Sequence, residues 1–245
     1  TRVQDAFTKG QTNVVVATNA FGMGVDRSDV RTVVHWDLPG SLEAYYQEIG
    51  RAGRDGKAAS ATLLFNPADR RTQEFFIRMG HPAIDDVHRV YSRLRQLNAN
   101  PVFADPEVLA DYLGDDPNAS RTVNSCMSVL QREGWVQRAR PPEPGQIGAL
   151  LTRPTEDLEL DEAKLIKRRE SEYAKLDAML AFHKSACRMH ALMRYFGESP
   201  PAGGCGHCDA CKSGPAPSPE ALDADDLELV CKSLKCILDM RKPFS

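Results

Sequence analysis

Four of the seven cysteines have a spacing suited to binding one metal ion. Cys205, Cys208 and Cys211 are three residues apart from one another, and Cys187 precedes them in a stretch predicted to be helical. Cysteines at this spacing can turn their sulfurs onto one ion, and the glycines at 203, 204 and 206 let the backbone fold tightly around it. Four thiolates suit tetrahedral Zn²⁺ and leave no coordination position open. The pattern therefore predicts a structural Zn²⁺ site.

An iron–sulfur cluster is the main alternative for these cysteines. A ferredoxin-type run would place a fourth cysteine shortly after Cys211 and before a proline, whereas Gly214 and Pro215 stand there. His207 could replace one thiol, but it lies between two better-spaced cysteines. Because the chain is expected to be intracellular, clustered cysteines indicate a metal site rather than disulfide bonds. The other cysteines lack such neighbours and are expected to be buried and structural; they are Cys126, Cys231 and Cys236.

A second group of residues is suited to binding a polyphosphate. The decapeptide from Gln47 to Gly56 reads QEIGRAGRDG, so Arg51 and Arg54 lie three residues apart among three glycines. Two guanidinium groups presented by one flexible turn can bind a triphosphate and stabilise the charge that develops on its transferred phosphoryl group. The competing interpretation is a glycine-rich turn with surface arginines. That interpretation does not require Gln47 and both arginines at this spacing, so the phosphate site is favoured.

Alternating strands and helices are predicted to position this decapeptide. β-branched runs at residues 13–17, 31–36 and 59–65 predict three strands, and Ser41 is a suitable N-cap for a helix over residues 41–49. Strands with nearly continuous apolar runs that alternate with helices are typical of a parallel sheet covered on both faces. The segment is too short for a complete doubly wound sheet, so it is interpreted as the back half of one.

A winged-helix-like segment is predicted between residues 82 and 154. Its predicted elements are, in order, helices at 85–97, 106–113 and 118–133 and strands at 136–138 and 148–152. Helix, turn, helix and a two-stranded hairpin is the order of a winged helix. The candidate recognition helix carries Arg121 and Arg132, which predicts DNA contacts. The acid-rich remainder of the segment fits a role in packing or protein contact at least as well.

A long helical stretch is predicted over residues 161–196. Its apolar residues recur at a spacing of three to four, which predicts a side facing a core. The basic triplet at residues 167–169 is interpreted as a solvent-exposed face of the helix rather than as a phosphate contact. Gly197 and Pro200 are expected to end the helix, and a linker at residues 213–219 leads to a last amphipathic stretch, 227–240.

Composition and charge exclude several classes of protein. The 245 residues are 42% hydrophobic and 27% charged, which is typical of a globular chain of one or two domains. No apolar run approaches the roughly 20 residues of a membrane span, so an intracellular protein without membrane contacts is expected. The net charge of −3 predicts no global attraction to nucleic acid, only local patches. Because the first residue is Thr1, the chain is expected to begin partway through a longer protein.

The decapeptide resembles motif VI of superfamily 2 helicases, in the form used by the RecQ family. Residues 17–26, which read ATNAFGMGVD, resemble that family's motif V. Residues 35–39, HWDLP, and the pair Tyr45 and Tyr46 occupy the interval between the two motifs as they do in RecQ helicases. Residues 187–198 and the three later cysteines resemble the RecQ zinc-binding module. The resemblance covers residues 1–80 and about 168–212.

This resemblance implies an ATP-driven 3′→5′ DNA helicase of repair and recombination. Residues 1–80 would form most of its second RecA-like lobe, which closes over ATP and Mg²⁺ held by an upstream lobe of the same protein. Arg54 would be the arginine finger, Arg51 a second phosphate contact and Gln47 a residue supporting the site. The other implied contacts are Asp26 and Gly24 with the nucleotide and Thr18 and Gly22 with a phosphate of DNA, the partner of the whole protein.

The expected fold class is α/β plus α, in four segments. They are a partial RecA-like parallel-sheet lobe at 1–80, a winged-helix-like insert at 81–160, a zinc-bound helical hairpin at 161–214, and a linker with the start of a further helical or winged-helix segment at 215–245.

Two features depart from the usual RecQ pattern. The zinc module usually follows the helicase core closely and precedes a winged helix, whereas residues 81–160 intervene here. No phosphate loop of the form G-x4-G-K-[ST] occurs in these residues, and the DExH-like residues 85–88 lie after motif VI. The chain is therefore not expected to hydrolyse ATP by itself.

Two other functions stay open at this point. One is a non-enzymatic DNA-binding or scaffold protein that retains half a helicase with winged-helix and zinc modules. The other, a zinc-containing winged-helix transcription regulator, is weaker because it leaves motifs V and VI without a role.

Overall fold

The computed structural model describes residues 2–18, 27–113 and 118–212. The described elements are, in chain order, α1 (Arg2–Thr8), β1 (Thr32–His35), α2 (Leu42–Ile49), β2 (Ser60–Leu63), α3 (Asp69–Gly80), α4 (Ile84–Gln96), β3 (Val102–Ala104), α5 (Pro106–Leu109), α6 (Ala119–Arg132), β4 (Val136–Arg138), β5 (Ile147–Leu151), α7 (Glu162–Phe182) and α8 (Arg188–Tyr195). The chain divides into two compact units, Thr1–Asn66 with Ala178–Ser245 and Pro67–Asp177. The four predicted segments stay a prediction about domain organisation. Within the described residues, no helix combines the length and the apolar composition that a membrane span requires.

The first unit contains a parallel β–α–β arrangement. Strands β1 and β2 pair in parallel, with Thr32 opposite Ser60 and His35 opposite Leu63. Helix α2 joins them, and the Ser41 side chain caps it by accepting a hydrogen bond of 3.2 Å from the amide of Ala44. The predicted parallel sheet, helix and cap are confirmed.

The strand predicted over residues 13–17 is wrong. These residues form no strand, and in the described parts of the chain the parallel sheet consists of β1 and β2. Val14 and Val16 are both more than one-third exposed. A β-branched run favours a strand only where a neighbouring strand and a packed face receive it, and neither is present here among the described residues.

In the second unit, helices and antiparallel strands follow the order predicted for the winged-helix-like segment. Helices α4, α5 and α6 pack beside an antiparallel sheet of order β3-β5-β4. Val102 of β3 lies opposite Ala149, and Val136 of β4 lies opposite Leu151. The structure adds β3 to the predicted elements and divides the helix predicted over 106–113 into α5 and a 3₁₀ turn at Asp111–Leu113.

The core of the second unit lies between α4, α6 and this sheet. Its apolar residues repeat every three to four positions along both helices; those almost fully buried include Val87, Val90, Tyr91, Leu94, Val123, Cys126, Met127 and Leu130. The Tyr91 ring meets the Trp135 ring edge-on, with centroids 5.6 Å apart. Tyr91 Oη donates to the Arg153 carbonyl, and Trp135 Nε1 donates to the Glu159 carbonyl. These buried polar atoms are therefore satisfied, which lets both rings pack in the core.

The helix predicted over residues 161–196 is divided into α7 and α8. Arg188 Nη1 donates hydrogen bonds to the carbonyls of Phe182 and Ser185, at 3.0 and 2.9 Å. The hydroxyl of Ser185 also donates to the Phe182 carbonyl. These bonds satisfy carbonyls that the end of a helix leaves without partners. The chain can therefore turn here, and Cys187 becomes the N-cap residue of α8.

Candidate functional site

The four predicted cysteine ligands come together in the first unit. The sulfurs of Cys187, Cys205, Cys208 and Cys211 all lie within 4.8 Å of one another. Cys187 is buried at the start of α8, and the other three lie on the loop that follows this helix. His207, by contrast, is exposed. The structure thus brings the predicted ligand set together, and we name residues 182–212 the cysteine module.

Glycines give the loop of the cysteine module its close packing. A Cβ atom on Gly204 would lie 2.6 Å from Cys211 Sγ, which is inside van der Waals contact. Gly206 has a φ of +73°, a conformation that residues with a Cβ rarely adopt. The loop therefore requires glycine at both positions, one for space and one for backbone conformation.

Backbone amides around the sulfurs favour thiolates. Hydrogen bonds from the amides of His207 and Cys208 lower the pKa of Cys205. At Cys211 the Gly206 amide also favours the thiolate, but the hydrogen bond with Cys208, burial and hydrogen bonds with the other two thiols outweigh it and raise the pKa to about 11. Without a cation the four sulfurs therefore do not all ionise near neutral pH. A bound divalent cation supplies the positive charge that four adjacent thiolates need.

An ion pair outside the sulfurs joins the two halves of the cysteine module. Arg188 Nε and Nη2 donate to the two carboxylate oxygens of Asp209, at 3.0 and 2.8 Å. The amide of Arg188 also donates to Cys208 Sγ. Sequence reasoning missed this pair. The available signal was the position of each residue directly after a predicted ligand.

The arginine turn, residues 50–56, directly continues the backbone hydrogen bonds of α2. The amide of Gly50 donates to the Tyr46 carbonyl at 3.0 Å, and the amide of Arg51 donates to the Glu48 carbonyl at 3.2 Å. Gly53 has a φ of +67°, and a Cβ on it would lie 3.0 Å from the Lys57 carbonyl oxygen. Glycine is thus required between the two arginines.

The turn is also tied to the residues before β1. The Gly53 amide donates to the Val30 carbonyl at 2.9 Å, and the Asp55 amide donates to the Ser28 carbonyl. The Arg31 guanidinium lies 2.6 Å from Asp55 and lowers the pKa of this carboxyl group. These contacts were not predicted from the sequence, because they join residues that are more than 20 positions apart.

Two of the predicted phosphate-site residues, Arg51 and Arg54, lie in this turn, and Gln47 lies just before it in α2. Gln47 and Arg54 are exposed, and Arg51 is half-buried. Thr18 is exposed and outside regular secondary structure. Gly22, Gly24 and Asp26 lie outside the described residues.

A buried histidine at the end of β1 contacts α2. His35 Nε2 lies 2.7 Å from Glu48 Oε2, and the His35 ring contacts Tyr45 with centroids 5.0 Å apart. His35 and Tyr45 are both more than nine-tenths buried. The end of β1 and the last turn of α2 are therefore held together immediately before the arginine turn.

The predicted DNA-binding residues of the winged helix lie on one side of α6. Arg121 and Arg132 are both exposed and are separated by three helical turns. Between them, side chains of Asn124, Ser125 and Ser128 donate to backbone carbonyls four residues earlier. Arg132 Nε also lies 3.4 Å from Glu133. No aspartate or glutamate occurs in α6, in contrast to the rest of the segment.

The arginine turn and the four clustered cysteines lie in segments that match known protein families. Residues 1–56 match the family model described as helicase conserved C-terminal domain. This matched segment includes β1, α2 and the arginine turn. Residues 156–212 match a second family model, RecQ zinc-binding, which includes all four clustered cysteines. In both segments the chain is therefore similar to proteins of the RecQ family.

Similar proteins include helicases from bacteria and animals. The chain is 60% identical over 68 residues to the ATP-dependent DNA helicase RecQ of Pasteurella multocida (strain Pm70), across 28% of this chain and 11% of that protein. It is 56% identical over 73 residues to the human ATP-dependent DNA helicase Q4, across 30% of this chain and 6% of that protein. These matches cover only a small part of either relative.

A longer match reaches a third relative, from Bacillus subtilis (strain 168), with the name "Probable ATP-dependent DNA helicase RecS". It is 31% identical over 212 residues, across 84% of this chain and 38% of that protein. A match over 84% of the chain must include residues 81–160. The segment between the two family matches therefore has a counterpart in at least one relative.

Proposed function

We propose that this chain is the C-terminal part of an ATP-dependent 3′→5′ DNA helicase of repair and recombination, acting inside the cell. The observation that carries the proposal is the arginine turn, which lies at the end of α2 within the segment that matches the helicase C-terminal domain. The upstream RecA-like lobe of the same protein would hold ATP and Mg²⁺. Arg54 would act as the arginine finger, Arg51 would contact a second phosphate, and Gln47 would support the site.

The proposed role of Arg51 and Arg54 is electrostatic stabilisation of the transition state. A guanidinium fixed beside a transferring phosphoryl group stabilises the charge that develops on its oxygens. The Gly53–Val30 bond and the Arg31–Asp55 pair hold the turn before nucleotide arrives, so little reorganisation is required in the transition state. Asp26 and Gly24 would lie by the nucleotide.

Arg54→Ala in the complete helicase tests this role. DNA-stimulated ATP hydrolysis should fall by about 10³-fold, the scale of an arginine finger, while DNA binding is retained. Arg71→Ala makes the same change at an exposed arginine of α3 and should leave turnover unchanged. Full turnover in Arg54→Ala would contradict the assignment. A complete protein with no ATPase at all would favour the non-enzymatic DNA-binding alternative.

The cysteine module is proposed to hold one structural Zn²⁺. Four sulfurs within 4.8 Å of one another match the preference of Zn²⁺ for tetrahedral thiolate ligands, and soft thiolates disfavour Mg²⁺ and Ca²⁺. Elemental analysis should find one zinc per chain, whereas iron with visible absorbance would contradict this choice. Cys208→Ser should leave the C-terminal half insoluble or sensitive to protease, because structural zinc contributes directly to folding. A soluble variant with normal protease protection would show that the cluster is dispensable.

DNA is proposed to contact two parts of the chain. Thr18 and Gly22 would meet a phosphate of the translocating strand, and Arg121 and Arg132 would hold a duplex against α6. The absence of acidic residues from α6 favours this face over the rest of the winged helix. The small polar side chains of α6 form hydrogen bonds with carbonyls of the same helix. We therefore expect α6 to contact the phosphate backbone of DNA without recognising the base sequence. Arg121→Ala should weaken duplex binding for all sequences alike and lower the salt dependence by about one counterion.

A further inference from the structure

The cysteine module contacts α2 at three points. Tyr195 Oη at the end of α8 donates a hydrogen bond of 2.8 Å to Glu43 Oε1. The adjacent Phe196 ring lies 5.1 Å from the Tyr46 ring, centroid to centroid. At the other end of the module, the Phe182 ring lies 5.3 Å from the ring of Tyr45. The helix that leads into the arginine turn is thus held by the part of the chain that carries the four clustered cysteines.

Only one helical turn of α2 separates the contact at Tyr46 from the arginine turn. The side chain of Tyr46 contacts Phe196, and the carbonyl of Tyr46 accepts a hydrogen bond from the amide of Gly50. A Cβ on Gly50 would lie 3.2 Å from that carbonyl oxygen, so the approach is close. The next residue is Arg51. A shift of α2 along or around its axis therefore moves the turn directly.

Two of the three contacts contribute little by apolar burial. The Tyr46 side chain is 52% exposed and that of Phe196 is 43% exposed. Tyr195 and Glu43 meet through a hydrogen bond at the surface. Such contacts fix direction and distance more than they add to the free energy of unfolding. The Phe182–Tyr45 contact differs, because both of its rings are more than nine-tenths buried.

We propose that Tyr195 and Phe196 are positioning residues for the arginine turn, acting through Glu43 and Tyr46. The inference rests on the proposed role of Arg51 and Arg54 in ATP hydrolysis. In this arrangement the cysteine module sets the orientation of α2, and through it the place of both guanidinium groups. A displacement of about 1 Å at a reacting group can lower the rate by up to about 100-fold.

The test compares variants of the complete helicase, and the zinc content and DNA binding of each variant are measured beside its ATPase activity. Glu43→Ala and Tyr195→Phe each remove the hydrogen bond and should lower the kcat of DNA-stimulated ATP hydrolysis by about 10-fold, with little change in the KM for ATP. Glu43→Gln retains an acceptor oxygen and should keep most of the activity. The double variant Glu43→Ala/Tyr195→Phe should be no worse than either single variant, because both remove one interaction. Met189→Ala, at an exposed position of α8, is the matched control.

Amide hydrogen exchange of this chain gives a readout that needs no activity. Tyr195→Phe and Phe196→Ala should speed exchange at residues 50–56 and leave residues 203–211 unchanged. Unchanged kcat in Tyr195→Phe, or a fall that parallels loss of zinc, would overturn the inference. If Arg54→Ala retains turnover, the proposed function of the turn is wrong, whereas faster exchange at residues 50–56 would still support the positioning contact.

Discussion

The Arg188 guanidinium and the Asp209 carboxylate form a two-point ion pair, with nitrogen–oxygen distances of 3.0 and 2.8 Å. Each residue directly follows a cysteine of the cluster, so the pair joins the start of α8 to the loop that carries the other three sulfurs. The start of α8 and the cysteine loop are thereby connected through protein groups, in addition to the ion that the four sulfurs are proposed to bind.

Arg188→Lys tests the value of this geometry. Lysine keeps the positive charge but cannot donate two parallel hydrogen bonds to one carboxylate. We expect the zinc dissociation constant to rise about 10-fold, as is usual when residues that orient the ligands are changed. Competition with a chromophoric chelator measures the constant. Arg194→Lys makes the same substitution at an exposed position of α8 and should have no effect; equal constants for both variants would remove this role from Arg188.

Gly204→Ala should lose bound metal. The added Cβ would lie 2.6 Å from Cys211 Sγ, so this sulfur must move away from its neighbours. Gly203→Ala is the control, because it introduces backbone strain without a steric clash. Its φ of +87° makes alanine unfavourable by about 1–2 kcal/mol, but the added Cβ would meet no atom within 4 Å. Zinc per chain, measured after exhaustive dialysis, should fall in Gly204→Ala alone. Equal zinc contents would show that the loop adjusts to the extra carbon.

Gly53→Ala should disturb the arginine turn more than Gly56→Ala. Both glycines have positive φ, +67° and +77°, so alanine costs about 1–2 kcal/mol at either position. Only at residue 53 would the Cβ also press against the Lys57 carbonyl and the Ala59 side chain. Urea unfolding should therefore show a larger loss for Gly53→Ala, accompanied by a larger fall in ATPase activity of the complete helicase. Equal losses at the two positions would mean that local backbone strain alone decides the effect, and the reverse order would contradict the close packing around Gly53.

Leu130→Ala should destabilise the winged helix by about 2–5 kcal/mol, because the side chain is fully buried between α6 and its neighbours. Leu150→Ala removes the same atoms from a side chain of β5 that is 36% exposed. Its cost should be about 1 kcal/mol or less. Circular dichroism during urea unfolding measures both. Similar losses for the two variants would contradict the position of the core.

The stability of the second unit should depend on pH through Glu133. Burial raises the pKa of this carboxyl group, but hydrogen bonds from Lys164 and Arg168 outweigh burial and lower it. A lowered folded-state pKa stabilises the protein above the unfolded value, about 4.3, and this contribution is lost as the pH falls through the folded-state pKa. Glu133→Gln should therefore reduce stability at pH 7 and flatten its decline below about pH 4.5.

Unfolding free energies at pH 7, 5 and 4 provide the measurement. Glu198→Gln, which changes an exposed glutamate, should behave like the unsubstituted chain. Parallel pH profiles for Glu133→Gln and the unsubstituted chain would show that the ion pairs contribute nothing measurable.

Local patterns were sufficient to predict which cysteines lie together and most of the elements. The spacing of Cys205, Cys208 and Cys211 restricts their sulfurs to a small volume, because few residues separate them. Ser41 and the apolar repeat of α4 and α6 likewise act within a few residues. Burial of Cys126, predicted from its isolation, is confirmed, and this burial raises the pKa of its thiol to about 12.

Failures of prediction arose where a distant partner decides the outcome. The β-branched residues 13–17 have strand propensity but no paired neighbour in the described chain, so propensity alone was misleading. The stretch 161–196 has a helical repeat throughout, yet Arg188 bonds to the carbonyls at the end of α7 and the chain turns before Cys187. This turn aligns the first ligand with the other three.

By itself, the sequence determined the types of residue that can bind a metal and a polyphosphate, since both motifs are short and their chemistry depends on side-chain type and spacing. Tertiary structure alone decided how the motifs are held. Tyr195 meets Glu43 across 152 positions of sequence, and Arg31 meets Asp55 across 24. No periodicity encodes such pairs, because they depend on how packed helices and strands orient the side chains between them.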